Sequence, residues 1–208
     1  MELGLVAKTS RNVCIELKDT GIFYTDVNNY DIYINGVYTQ STNRVITSIY
    51  GLLPDTDYNI EVVESAQAGA DTRNEANKGS LSVHTDFEYV TLNVRDFGAY
   101  GNGEHDDTLA IQTAIMACPE NARVYVPAGT YKITTLFLKS NLVLDLAKDA
   151  VLSAFTERER FGILPGMIQS YDEKDEYNLG SWEGNPLDCF TGIITGINVE
   201  NVVITGEG

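Results

Sequence analysis

Apolar and polar residues alternate in short runs through the first 86 residues. Val13-Cys14-Ile15-Glu16-Leu17, Tyr30-Asp31-Ile32-Tyr33-Ile34, Val45-Ile46-Thr47-Ser48-Ile49, Tyr58-Asn59-Ile60-Glu61-Val62 and Leu81-Ser82-Val83-His84-Thr85 each read as a strand with one buried face. Asn35-Gly36 stands between two of these runs, with Val37-Tyr38-Thr39 resuming strand character after it. Both residues tolerate positive φ, so the pair predicts a tight type I′ hairpin. The small, acidic stretch from Ser65 to Lys78 predicts an exposed loop. Short strands at this spacing predict a β-sandwich.

The pattern changes after a boundary at Asp86 to Val90. Leu92 to Gly103 reads as a strand entering a glycine-rich loop, followed by Asp106-Asp107-Thr108. Ala110, Ile111, Ala114, Ile115 and Cys118 then form one helical stripe, with an aspartate to cap its start and Pro119 to stop it. Strands without intervening helices follow: Val124–Pro127, Thr130–Ile133, Leu136–Leu138, Asn141–Leu146, Ala150–Leu152 and Asn198–Gly206. Asn141-Leu142-Val143-Leu144 and Asn201-Val202-Val203-Ile204 share one form, an asparagine and three aliphatics. Such recurrence is what the stacked coils of a parallel β-helix show, with the amphipathic helix as the cap of its open end. A second sandwich or jelly roll is the alternative on periodicity alone. The division expected is a sandwich over residues 1–86 and a β-helix portion over 87–208.

Composition narrows the partners. The 208 residues are 43% hydrophobic and 21% charged, which excludes disorder, and 30 acidic against 14 basic residues leave a net charge of −16. Such a chain repels a phosphate backbone and an anionic leaflet, so neither nucleic acid nor a membrane is an expected partner. Cys14, Cys118 and Cys189 are an odd and widely spaced set with no C-x-x-C pair. They predict free thiols and no structural metal site. The N-terminus lacks a basic segment ahead of an apolar one. A cytoplasmic location follows, with secretion after removal of a signal peptide as the alternative.

Three resemblances add to this reading. Gly51-Leu52-Leu53-Pro54-Asp55-Thr56-Asp57-Tyr58 resembles the tyrosine-corner turn of fibronectin type III domains. That likeness implies a Tyr58 hydroxyl bonded to upstream backbone and Leu52 in the core. The domain would serve as a spacer, a sugar-binding module or a packing surface. Asn93-Val94-Arg95-Asp96-Phe97-Gly98-Ala99, with Gly101-Asn102-Gly103, Asp106-Asp107-Thr108 and Val124 to Tyr131, resembles the opening of pectate-lyase-like right-handed β-helices. Leu138 to Leu152, Gly180-Ser181-Trp182-Glu183-Gly184, Ile193-Ile194-Thr195-Gly196 and Asn198 to Gly208 are similar to polygalacturonases of glycoside hydrolase family 28.

The family resemblance implies inverting hydrolysis of α-1,4-linked galacturonides, exo-acting, with no metal or organic cofactor and with oligo- or polygalacturonate as the partner. Inversion needs an acid and a base roughly 6.5–9.5 Å apart, so that a water fits between them. The family's N-x-D, D-D and G-H-G motifs and its R-x-K segment find no match, so no catalytic residue is assigned. Asp106-Asp107 precedes the helix and is read as its cap; His105 is read as a loop residue, and His84 belongs to the sandwich. The chain is therefore expected to be the N-terminal part of a longer enzyme and inactive alone, with a β-helix end open to association. The rivals are a non-catalytic glycan-binding module and a pectate lyase. Residues 161–190 read as a long inserted loop whose Trp182, Tyr171 and Tyr177 stack on sugars or pack as its own core. Trp182 is the candidate substrate-binding residue.

Overall fold

The computed structural model describes residues 1–18, 24–65 and 74–208, and it divides into two compact units, Met1–Glu88 and Tyr89–Gly208. It is mainly β.

The first unit holds seven strands among the described residues: β1 (Glu2–Lys8), β2 (Val13–Lys18), β3 (Thr25–Ile34), β4 (Val37–Arg44), β5 (Ile46–Ile49), β6 (Asp57–Glu64) and β7 (Asn74–His84). They form two antiparallel sheets, ordered β1-β2-β5 and β4-β3-β6-β7. Alternation explains the core: Val13, Ile15 and Leu17 of β2 are buried with Ile32, Ile49, Ile60 and Val62. Asn35 (φ 50°) and Gly36 (φ 81°) make the β3–β4 turn with the positive φ that their side chains permit. Tyr58 Oη accepts a bond of 2.8 Å from the Leu53 backbone N–H, and Leu52 is buried, so the corner has the fibronectin type III form.

Two expectations change here. β1 is absent from the alternation read above, because Glu2-Leu3-Gly4-Leu5-Val6-Ala7-Lys8 buries only Leu3 and Gly4 and is held by its ladder to β2. Of the loop expected over Ser65–Lys78, residues 66–73 lie outside the described residues, while Asn74–Lys78 belongs to β7. Lys78 opposite Val63 and Asn74 opposite Glu64 show why: pairing with β6 supplies backbone bonds that polar composition does not reveal.

The second unit begins with β8 (Thr91–Asn93) and a 3₁₀ turn (Val94–Phe97), then β9 (Asn102–Asp106), α1 (Thr108–Ala117), β10 (Arg123–Val126), β11 (Gly129–Ile133), β12 (Leu136–Phe137), β13 (Leu142–Leu146) and β14 (Ala150–Ala154). After these come the two-residue strands β15 (Ile163–Leu164), β16 (Ile168–Gln169), β17 (Glu176–Tyr177), β18 (Ser181–Trp182), β19 (Asn185–Pro186), β20 (Cys189–Phe190) and β21 (Ile194–Thr195), and finally β22 (Val202–Gly206). Three parallel sheets, β22-β13-β10-β8, β14-β11-β9 and β12-β21, build the opening coils of a right-handed β-helix. Leu92, Val124, Leu144 and Ile204 stack in register, one per coil. Val124 and Leu144 are fully buried, and Ile111, Ala114, Ile115 and Cys118 of α1 join the same core.

The coil step sharpens the asparagine repeat. Arg123 faces Val143, a step of 20 residues, whereas Leu142 faces Val202, a step of 60. The longer interval is one coil carrying an insertion. Asn141 (φ 56°) and Asn201 (φ 54°) sit at the same corner, and the Asn201 Nδ2 donates to Asn141 Oδ1 at 2.9 Å. Asn121 (φ 55°), one 20-residue step earlier, takes the same left-handed turn. Asparagine recurs there because its side chain tolerates that conformation and can hydrogen-bond locally.

Candidate functional site

The carboxylate pair suspected from sequence, Asp106-Asp107, divides between two tasks. Asp107 is fully buried, and its side chain does not cap α1. It accepts the backbone N–H groups of Tyr100 (2.7 Å) and Gly101 (2.9 Å), and its Oδ1 lies 2.8 Å from His105 Nδ1. The expected capping falls to Asp106, whose Oδ1 takes the Thr108 N–H at 3.1 Å and the Thr108 hydroxyl at 2.6 Å. Its Oδ2 meets Arg160 at 2.6 Å. Partial burial raises the Asp106 carboxyl, but the Thr108 donors and then the Arg160 cation outweigh it and hold the group below its usual range.

The glycine-rich loop is thus a structural knot. Gly101 has φ 62°, and a Cβ there would lie 2.7 Å from the Tyr131 ring, so the backbone must stay bare for the ring to pass. Arg95 spans the loop, donating to the Tyr100 carbonyl at 2.8 Å and the Ala128 carbonyl at 3.0 Å. His105 stacks against Tyr100 with ring centroids 4.2 Å apart. The residues that carry the family resemblance are therefore largely those that shape this cap. Sequence reasoning gave Arg95 no role beyond its motif and missed Arg160, since Arg95 reaches Ala128 33 residues away and Arg160 reaches Asp106 54 residues away.

On the outer face of the four-stranded sheet, Asp145 is in an ion pair with Arg123, which also donates to Thr91 Oγ1 at 3.1 Å and lies over the Tyr125 ring. This carboxylate, too, is committed to a neighbour.

The insertion expected as an irregular loop is a set of short hairpins. β15 pairs with β20, β16 with β17 and β18 with β19, all antiparallel. Glu183 (φ 50°) and Gly184 (φ 82°) turn the last hairpin. Its aromatic side chains face outward: Trp182 is 67% exposed, and Tyr171, Tyr177 and Phe190 are exposed as well. Among the described residues, no group of three His, Cys, Asp or Glu side chains is placed to hold a metal, and no helix is long and apolar enough to cross a membrane.

Comparison with known proteins places this architecture. The model of a family described as rhamnogalacturonase A/epimerase, pectate lyase-like, matches residues 91–145. The exo-poly-alpha-D-galacturonosidase of Dickeya chrysanthemi is 38% identical over 127 residues, 58% of this chain and 21% of that protein. The plasmin and fibronectin-binding protein A of Streptococcus pneumoniae is 42% identical over 74 residues, 34% of this chain and 10% of that protein. The solved structure of the Yersinia enterocolitica family 28 exopolygalacturonase covers 98% of this chain and 39% of its own, with a TM-score of 0.63 and 22% identity, which shows a shared fold. The class is thus a fibronectin-type sandwich with a pectate-lyase-like β-helix. Within that class, the chain resembles the family 28 exopolygalacturonases, and it spans about a fifth of the length of the Dickeya relative.

Proposed function

We propose that this chain forms the sandwich and opening β-helix coils of a cytoplasmic glycosidase that hydrolyses α-1,4-linked galacturonides from a chain end. The observation that carries the reading is the 38% identity to an exo-poly-alpha-D-galacturonosidase over 127 residues. The reaction uses an acid and a base carboxylate on opposite faces of the scissile bond, with inversion and no metal. In this reading the pair lies outside residues 1–208, since the family's catalytic motifs find no match within them, and Asp106, Asp107 and Asp145 are each committed to bonds within the chain. The outward Trp182 would stack on a sugar ring of the substrate.

Reducing-end release from polygalacturonate is the test. The 208-residue chain should give none, while a longer protein carrying the further coils should hydrolyse from one end with inversion at the new anomeric centre. An unsaturated, ultraviolet-absorbing product would reassign the enzyme as a lyase, and turnover by the 208 residues alone would overturn the site argument. The second reading is a non-catalytic β-helix module, glycan-binding or structural; the 42% identity over 74 residues to a plasmin and fibronectin-binding protein favours a non-catalytic binding role. Retention of galacturonate oligomers without any product from the longer protein would select it.

A further inference from the structure

Among the described residues of the sandwich, the carboxylates claim every basic side chain but one. Lys8 pairs with Asp86, Arg11 with Glu88, Lys18 with Glu2 and Lys78 with Glu61. Among the described residues of this unit, Arg44 alone of the basic side chains has no carboxylate partner.

The local backbone explains how Arg44 is presented. Val45 is buried, its N–H donates to the Tyr24 carbonyl at 2.9 Å, and its own carbonyl accepts from Leu17 N–H at 2.8 Å. With Val45 pinned inward, the residues on either side, Arg44 and Ile46, turn outward. Thr25 lies directly opposite Arg44 in the β3–β4 ladder. Tyr24, Thr25, Arg44 and Ile46 line a cleft of about 310 Å³. Tyr24 is 81% and Ile46 51% exposed, so the cleft offers an apolar and aromatic wall beside a fixed positive charge.

We infer that this cleft binds one carboxylated pyranose of a polyuronate chain. The guanidinium matches a carboxylate with two parallel N–H donors. Ile46 receives the C–H face of the sugar beside the Tyr24 side chain, and the Thr25 hydroxyl is placed for a ring hydroxyl. The volume lies near the lower end of the range for small-ligand clefts, about 300–1,000 Å³, which suits one sugar unit rather than several. The overall acidity does not forbid this, because charges farther than about 8 Å are largely screened at physiological salt. The site would give the sandwich a role in holding the acidic polymer. That the sugar is galacturonate rests on the function proposed above, whereas the carboxylated-pyranose class rests on the cleft itself.

Amide chemical-shift titration of the intact 208-residue chain tests the inference, with trigalacturonate, trimannuronate and neutral galactotriose as probes. Uronate trimers should shift Thr25, Arg44 and Ile46, weaken as salt is raised, and lose at least about tenfold in affinity in Arg44→Gln. Arg44→Lys should retain part of the binding, and galactotriose should not shift these residues. Absence of shifts there, equal binding of the neutral trimer, or an unchanged affinity in a folded Arg44→Gln would overturn the inference. These outcomes are independent of product formation by the longer enzyme. Binding of trimannuronate but not trigalacturonate would support the cleft while counting against the galacturonide reading.

Discussion

Replacing Asp107 with alanine separates a structural carboxylate from a catalytic one. Asp107 is fully buried and accepts two backbone N–H groups, from Tyr100 at 2.7 Å and Gly101 at 2.9 Å. Alanine leaves both donors without their acceptor at a position whose carboxylate is fully shielded from solvent. Each stranded donor costs about 1–3 kcal/mol. The His105 contact adds little, because that ring is 45% exposed. A total of roughly 3 kcal/mol follows, and for a unit of this size it lowers Tm by about 10 °C. Asp107→Asn keeps one acceptor oxygen and should lose roughly 1 kcal/mol. Calorimetry of the intact chain, with amide exchange of Ile111 to Ile115 to identify the transition of the β-helix unit, measures both. In the longer enzyme, Asp107→Asn should retain turnover below its Tm. A Tm for Asp107→Ala within about 2 °C of the parent would refute the reasoning, since two stranded donors cannot cost so little.

Three further outcomes are expected. Tyr58→Phe removes the hydroxyl that accepts from Leu53 N–H and should destabilise the sandwich by about 1 kcal/mol in urea titration, with an unchanged m-value. His84 lies 2.8 Å from Asp57 and 3.0 Å from Asp55, and hydrogen bonds first to Asp57 and then to Asp55 raise its pKa above 6.5. Its folded pKa thus exceeds the unfolded one, so its stabilising contribution is complete below 6.5 and fades as pH rises through the folded value; His84→Gln should flatten that dependence in urea midpoints measured across pH. Trp182→Ala in the longer enzyme should weaken oligogalacturonide binding by about tenfold with little change in Tm, and unchanged affinity would remove this 67%-exposed ring from the binding surface.

Local chemistry made much of the fold legible in advance. Asn35-Gly36 specifies its turn, because both residues accept positive φ, and the Gly51-to-Tyr58 segment carries its corner within eight residues. The helix stripe from Ile111 to Cys118 and the aliphatic runs after Asn141 and Asn201 needed only their periods. Strand β1 was not legible, since its pairing with β2 comes from the ladder rather than from a buried stripe. The hairpins of residues 161–190 were hidden for the same reason, as each rests on a few cross-strand bonds between two-residue strands.

At the sites, sequence determined which residue types were present, and tertiary structure decided what each does. Asp106 and Asp107 are adjacent in the chain, yet one caps a helix from a half-exposed position and the other is buried holding a loop. Arg44 and Lys78 are both ordinary surface cations in sequence. Only the folded sheets give Lys78 to Glu61 and leave Arg44 facing a cleft. The hydrophobic period is a local property and survives in a linear reading, whereas charge pairing depends on distances between residues far apart in the chain. Coulomb energy and hydrogen bonding are decided over a few ångströms, and the tertiary fold sets those distances.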